Sequence, residues 1–467
     1  MHDHQSLHEL EASELARLLH SRRLSPVEVT EAMLRRIETL DPSLHAYACV
    51  TPELALEQAR KAEERIGRRQ ILGPLHGVPI AVKDLCFTRG VDTCAGMPLN
   101  HGFRPDRDAT IVTRLREAGA VLLGKLQLTE GALVEHHPSV VPPVNPWHPD
   151  HWSGASSSGS GVATAAGLCF GSIGSDTGGS IRFPSAANGV TGIKPTWGRV
   201  SRDGCFELAA SLDHFGPMCR SAADAGAMLA IVAGADPEDP TALLDPVPDM
   251  LAGVDTELRN LRIGIDERFV HEGVDATTSA AVRETLSALR ELGASVRNVA
   301  FPAVDAALAD WAPICAIEAA VAHGRTYPSR RAEYGPALAS FLDSASAFSA
   351  LDYQRMLLRR RDFAGRLMAL FEQVDLLLLP AQPFASPTKT ELSQLISTEA
   401  GLRSLIRFTA PFDLSGHPTI TLPAGFTAQH TPVAVQLVAR RLHEPLLVRA
   451  GRAFQRATDW HRRHPPV

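Results

Sequence analysis

Lys83 closes the run His76-Gly77-Val78-Pro79-Ile80-Ala81-Val82-Lys83-Asp84, which puts an ammonium at the end of an apolar stretch. Such a lysine can snorkel from a strand end or pair with Asp84. Buried among apolar groups it can also lose its proton and act as a base, which a guanidinium cannot do. The 46 basic residues are 41 Arg and only five Lys, at 61, 83, 125, 194 and 389, so surface charge is carried almost wholly by arginine. Codon bias accounts for that skew but not for where the five lysines sit. Two further clusters hold hydroxyls and glycines, Ser153-Gly154-Ala155-Ser156-Ser157-Ser158-Gly159-Ser160-Gly161 and Gly174-Ser175-Asp176-Thr177-Gly178-Gly179-Ser180-Ile181-Arg182-Phe183-Pro184. A Gly-Gly-Ser turn lets successive amides converge on one small volume, which suits an anion or an oxyanion. If Ser180 is a nucleophile, amides of Thr177, Gly178, Gly179 and Ser180 would surround the developing oxygen. No Gly-x-Ser-x-Gly elbow is present, so the serine needs another base, and hydroxyls of the second cluster could relay its proton to Lys83.

The elements that must hold these groups alternate between helix and strand, which favours an α/β fold. Ser25-Pro26-Val27-Glu28 opens a helix with Val29, Met33 and Ile37 on one face, and Thr51-Pro52 opens a charged helix to about Arg68. Residues 77–82 and 120–123 read as short buried strands flanking a helix over 111–118. Between 153 and 180, 16 of 28 residues are Gly or Ser, as in a flexible linker. The interleaved Val162, Ala163, Ala165, Ala166, Leu168 and Phe170 predict instead a small-residue helix inside a core. Prolines 237, 240, 246 and 248 mark a loop. Strands follow over 261–265 and 295–299 around a helix that stops at Gly293, then mostly helix over 303–373, strands at 376–379, 419–423 and 433–438, and a terminal helix from about Pro445.

The second and third clusters, continued by Ser185-Ala186-Ala187-Asn188-Gly189-Val190-Thr191-Gly192-Ile193-Lys194-Pro195-Thr196-Trp197-Gly198-Arg199-Val200-Ser201, closely resemble the amidase signature family of hydrolases. The resemblance extends to 77–84, to Ser211-Leu212-Asp213-His214-Phe215-Gly216-Pro217 and to Pro411-Phe412-Asp413-Leu414-Ser415-Gly416-His417-Pro418, and is weakest over 240–375. It implies one large α/β domain, a mixed sheet covered by helices on both faces. Within it, residues 1–70 form a helical lead, 71–235 the signature core, 236–375 a variable, substrate-shaping region and 376–467 the rest of the core. It also implies a Ser-cisSer-Lys triad: Ser180 as nucleophile, Ser156 as the bridging serine after a cis peptide, and Lys83 as base. The separation of 24 residues between the two serines agrees with the family pattern. Ser157 is expected to support the relay, and Asp176 with Arg182 to shape the oxyanion loop. The family commonly has Gly-Gly-Ser-Ser-Gly-Gly where this chain has Gly154-Ala155-Ser156-Ser157-Ser158-Gly159, so the choice of Ser156 rests on spacing more than on the glycines.

The expected activity is hydrolysis of a C–N bond in a small amide through an acyl-enzyme, with a carbamate or an ester as alternative substrates. A component of an amidotransferase complex, or a phosphate- or nucleotide-binding protein using the helix that opens after Ser156, are readings of other classes. Thr129, Glu130 and Trp147 are candidate substrate-binding residues. Glu135-His136-His137 lacks a further ligand motif, so no metal and no cofactor are expected. Cys86, three residues after Lys83, invites a cysteine–lysine nitrilase reading but reads by default as an ordinary buried thiol. A net charge of -6 argues against nucleic acid or an anionic membrane surface as partner. Seven cysteines without a Cys-x-x-Cys pair suggest reduced thiols. With no signal peptide or membrane span in the sequence, a cytoplasmic monomer or homodimer acting on a small molecule is expected.

Overall fold

The computed structural model describes residues 7–254 and 256–467. Its centre is a single mixed sheet of eleven strands: β1 (Tyr47–Val50), β2 (Pro79–Lys83), β3 (Val121–Leu126), β4 (Gly171–Asp176), β5 (Thr191–Lys194), β6 (His214–Cys219), β7 (Arg262–Ile265), β8 (Ser295–Asn298), β9 (Leu376–Pro380), β10 (Thr419–Phe426) and β11 (Pro432–Ala439). Their order across the sheet is β1-β3-β2-β4-β6-β5-β10-β11-β9-β7-β8. β2 runs parallel to both β3 and β4, and β7 runs parallel to β8 and β9, while the middle of the sheet is antiparallel.

The strands predicted from apolar runs are present, with β9 the clearest: Leu376-Leu377-Leu378-Leu379 is buried throughout. Fully buried strands need no polar alternation, which is why these runs read as continuous. The long helical stretch resolves into Asp305–Ala322, Pro336–Ser344 and Ala350–Leu370. The glycine–serine stretch departs from expectation. Its helix, Ser158–Ala165, is shorter than predicted, and Leu168 and Phe170 lie beyond it, in a turn that leads into β4. All eight residues of that helix are buried, so small side chains set how closely it packs. The Cβ that any other residue would bring to Gly159 falls 2.3 Å from the Ala46 carbonyl oxygen.

Two features of this layout position chemistry. Lys83 is the last residue of β2, and its neighbour β4 runs parallel with Ala81 opposite Ser172 and Val82 opposite Ile173. The lysine therefore leaves the carboxyl edge of the sheet beside Ser175, the edge at which open α/β sheets gather ligands. Among the described residues no helix is long and apolar enough to cross a membrane.

Candidate active site

The Lys83 side chain is fully buried. Its Nζ lies 2.7 Å from Ser156 Oγ, 2.9 Å from Ser157 Oγ and 2.8 Å from Ser175 Oγ. Burial pulls the ammonium down from the ordinary lysine range to about 7, against the smaller opposing pull of Asp176, Cys86 and Asp213. The hydroxyls are not equivalent. Ser157 Oγ donates to the Ser175 carbonyl at 3.1 Å and also accepts the Ser175 amide at 3.2 Å, so its one proton is committed to backbone. The Ala155–Ser156 peptide bond is cis. Gly154, just before it, has φ +84° and lies so close to Pro184 that a Cβ would sit 2.3 Å from the proline Cα, which explains why glycine stands there.

Ser180 adjoins this cluster through its backbone. The Ser157 amide donates to the Ser180 carbonyl at 3.3 Å, and Ser180, only partly buried, lines an apolar cavity with Phe183, Trp152, Trp311, Leu402 and Ile406. The turn that carries it is held by Asp176. One carboxylate oxygen accepts the Gly179 amide at 2.6 Å, and the other accepts the Ile181 amide at 3.0 Å and Arg182 Nε at 3.0 Å. Burial alone would raise this carboxyl, but the Arg182 guanidinium outweighs burial and holds it well below the carboxylate range. Arg182 in turn donates to Asp413 at 2.6 Å and to the Thr409 carbonyl at 2.8 Å, which ties the turn to the C-terminal segment.

That geometry narrows the expected oxyanion donors. The Gly179 amide is taken by Asp176, whereas the Gly178 and Ser180 amides donate to no protein group among the described residues. The Thr177 amide likewise donates to no protein group among the described residues, and its hydroxyl donates to Asp213 at 2.6 Å.

Other expected residues sit elsewhere. Thr129 Oγ1 donates to the Leu133 carbonyl, and the Glu130 carboxylate accepts the Gly335 amide at 2.9 Å, so both brace the wall and leave its surface to Gly131 and Ala132. Trp147 donates to the Asn188 carbonyl at 2.8 Å and packs on Phe426, away from the Ser180 cavity. His136 meets Ser158 Oγ at 3.1 Å and His137 meets Ser139. Cys86 bridges to Cys205 through backbone, and among the described residues the Lys83 ammonium hydrogen-bonds to serines. The Gly159 amide donates to the Gln127 carbonyl, which removes an anion-binding donor from the helix start.

Two contributors escaped the sequence reading. Ser175 touches the lysine, and its signal was its place one residue before Asp176 on a strand made of small residues. Trp311, from the helix Asp305–Ala322, lies against Gly178, where a Cβ would come within 2.3 Å of its ring, and donates to the Thr177 carbonyl at 2.9 Å.

A buried lysine among serine hydroxyls at the carboxyl edge of a large mixed sheet, next to a carboxylate-braced turn, is an arrangement that fits a hydrolase with an α/β fold. Residues 28–448 match the amidase family model, and the chain belongs to that family. It is 50% identical over 466 residues to AmiD of Mycobacterium tuberculosis, itself named only as a proposed amidase, covering 100% of this chain and 98% of that one. It is 37% identical over 491 residues to one of the subunits of the glutamyl-tRNA(Gln) amidotransferase of Chloroflexus aggregans, covering 99% of each. Among solved structures, 6-aminohexanoate cyclic dimer hydrolase superposes with a TM-score of 0.89 at 29% identity, over 98% of this chain and 99% of that one. The protein is thus an amide-hydrolysing enzyme with the amidase signature fold.

Proposed function

We propose that Ser180 attacks the carbonyl carbon of a small amide while its proton passes to Ser156 Oγ and the Ser156 proton passes to neutral Lys83. The contact of the buried Lys83 Nζ with three serine hydroxyls carries this reading. A neutral lysine has two protons and one lone pair. Ser157, its own proton committed, can only accept from it, and Ser175 takes the other proton, which leaves the lone pair for Ser156. The oxygen of the tetrahedral intermediate meets the Gly178 and Ser180 amides. When the C–N bond breaks, the amine leaves with the proton returned through Ser156. Water then attacks the Ser180 ester, gives its proton to the same relay, and releases the carboxylic acid and the free serine.

The apolar cavity beside Ser180 supports an aryl or alkyl group on the substrate. Carbamates and esters carry the same electrophilic carbon and are alternative substrates. Kinship with a component of an amidotransferase complex supports a second reading, which purification as an active single chain would dismiss. Seven unpaired cysteines support a reducing, cytoplasmic setting.

The test is a panel of p-nitroanilide, primary amide, carbamate and p-nitrophenyl ester substrates on wild type and Ser180→Ala. Loss of at least about 10⁴-fold in kcat on every hydrolysed substrate is expected. Turnover surviving in Ser180→Ala across the panel would overturn the mechanism.

A further inference from the structure

Each backbone amide of the Ser180 turn shares a planar, trans peptide unit with the carbonyl before it, and the two point in opposite directions. Whatever grips the carbonyl therefore aims the amide. The grips differ from one plane to the next. The Gly178 carbonyl accepts Thr409 Oγ1 at 2.6 Å, and the Gly179 amide in the same plane donates to Asp176. The Gly179 carbonyl accepts the Phe183 amide at 2.7 Å, which aims the Ser180 amide. The Asp176 carbonyl, in the plane of the Thr177 amide, ends β4 opposite His214 of β6. That leaves the plane that carries the Gly178 amide. Its carbonyl, of Thr177, accepts Trp311 Nε1 at 2.9 Å, and no other donor among the described residues reaches that oxygen.

The indole is itself held firmly. Trp311 is buried on the helix Asp305–Ala322, and the preceding Asp310 receives both Arg359 Nε and a terminal Arg359 nitrogen at 2.7 Å. Glycine at 178 is what lets the ring close on the turn, since a Cβ there would come within 2.3 Å of Trp311 Cζ2. Trp311, Thr177, Gly178 and Ser180 all line the apolar cavity, so the ring that grips the turn is also part of the substrate's wall. An amide left without a protein partner is useful to a developing oxyanion only if its direction is fixed beforehand. For Gly178 that direction depends on a side chain 133 positions away.

We propose that Trp311 is a positioning residue for amide hydrolysis: its indole N–H holds the Thr177–Gly178 peptide plane so that the Gly178 amide meets the oxygen of the tetrahedral intermediate. Its ring at the same time walls the cavity, so one side chain from the 236–375 region sets both the shape of the pocket and the aim of an oxyanion donor. The assignment rests on the reading of Ser180 as nucleophile.

The test is steady-state hydrolysis of a p-nitroanilide by wild type, Trp311→Phe and Trp311→His, each checked by circular dichroism. Trp311→Phe keeps an aromatic wall without an N–H, so kcat should fall about 10- to 100-fold with KM within about threefold of wild type. In Trp311→His the imidazole overlays the pyrrole half of the indole and puts Nε2–H where Nε1–H stood. That variant should regain about fivefold or more in kcat over Trp311→Phe, although it fills less space. Packing alone would rank Phe above His. Gly178→Ala keeps both the indole and the amide and drives them apart, so it should lower kcat by a similar factor, with little further loss on adding Trp311→Phe. It reports even where the buried Trp311 variants fail to fold. An unchanged kcat in Trp311→Phe or Gly178→Ala, a loss carried by KM alone, or a Trp311→His enzyme no faster than Trp311→Phe would overturn the assignment. Turnover surviving in Ser180→Ala would instead overturn the catalytic reading beneath it.

Discussion

Lys83 and Lys194 invite direct comparison. Both end a central strand, β2 and β5, and both are fully buried. Burial pulls each down to about 7. What surrounds them differs. Lys83 faces three serine hydroxyls, whereas Lys194 donates to the adjoining Pro195 carbonyl and feels Asp413, Arg182, Asp176 and Glu444 around it. Serine hydroxyls can take and pass a proton during a turnover, whereas the backbone carbonyl that Lys194 meets can only accept a hydrogen bond. A lowered lysine value therefore marks burial, and the neighbours decide whether it marks a base. Lys125 is a third case: it pairs with Asp84 at 3.1 Å and donates to Thr93, an internal ion pair with a structural role.

The comparison breaks most visibly at the base. Lys83→Met should lower kcat by about 10³- to 10⁴-fold, with the fold intact by circular dichroism, because the relay loses its acceptor. Normal turnover in that variant would assign the base elsewhere. Next comes the bracing of the Ser180 turn. Arg182→Met leaves Asp176 and Asp413 buried without their shared cation, so a stability loss of about 3–5 kcal/mol is expected in denaturant titration. An unchanged midpoint would show that the turn is held by other contacts. The smallest effect belongs to Lys194→Met. Its ammonium forms no ion pair within 4 Å among the described residues, and methionine is similar in volume. Stability should shift by less than about 1.5 kcal/mol and kcat by less than about threefold, measured by melting and steady-state kinetics.

Much of this contrast was legible in the sequence, and the reasons differ by residue. Lys83 stood out because an apolar run led to a lysine in a chain that otherwise uses arginine, and the serine clusters carried the family resemblance. Fold elements with long apolar runs, such as β9, or with capped helical periodicity, such as Pro26–Leu44, were readable for the same physical reason: their burial pattern is local. β4 was not, because Gly171-Ser172-Ile173-Gly174-Ser175-Asp176 has a single β-branched side chain and becomes a strand only through its neighbours β2 and β6. Missing β4 concealed Ser175. The same blindness to tertiary contact put Trp147 at the site and left out Trp311, which reaches Gly178 from 133 positions away in the chain. Thr129 and Glu130 were expected one turn too early: they brace the wall whose surface belongs to Gly131 and Ala132.

Lys83, and not Lys194, is proposed to supply the titration that controls catalysis. That assignment is tested most directly by the pH dependence of kcat/KM in wild type and Lys194→Met, followed from about pH 5 to 9 on one amide whose own groups do not titrate in that window. With neutral Lys83 as the proposed base, the rate should rise with pH through a midpoint near 7 and then level, falling about tenfold per unit below it. The same rising limb is expected in Lys194→Met. A midpoint that moves or vanishes with Lys194→Met, or a wild-type profile without a rising limb, would contradict it.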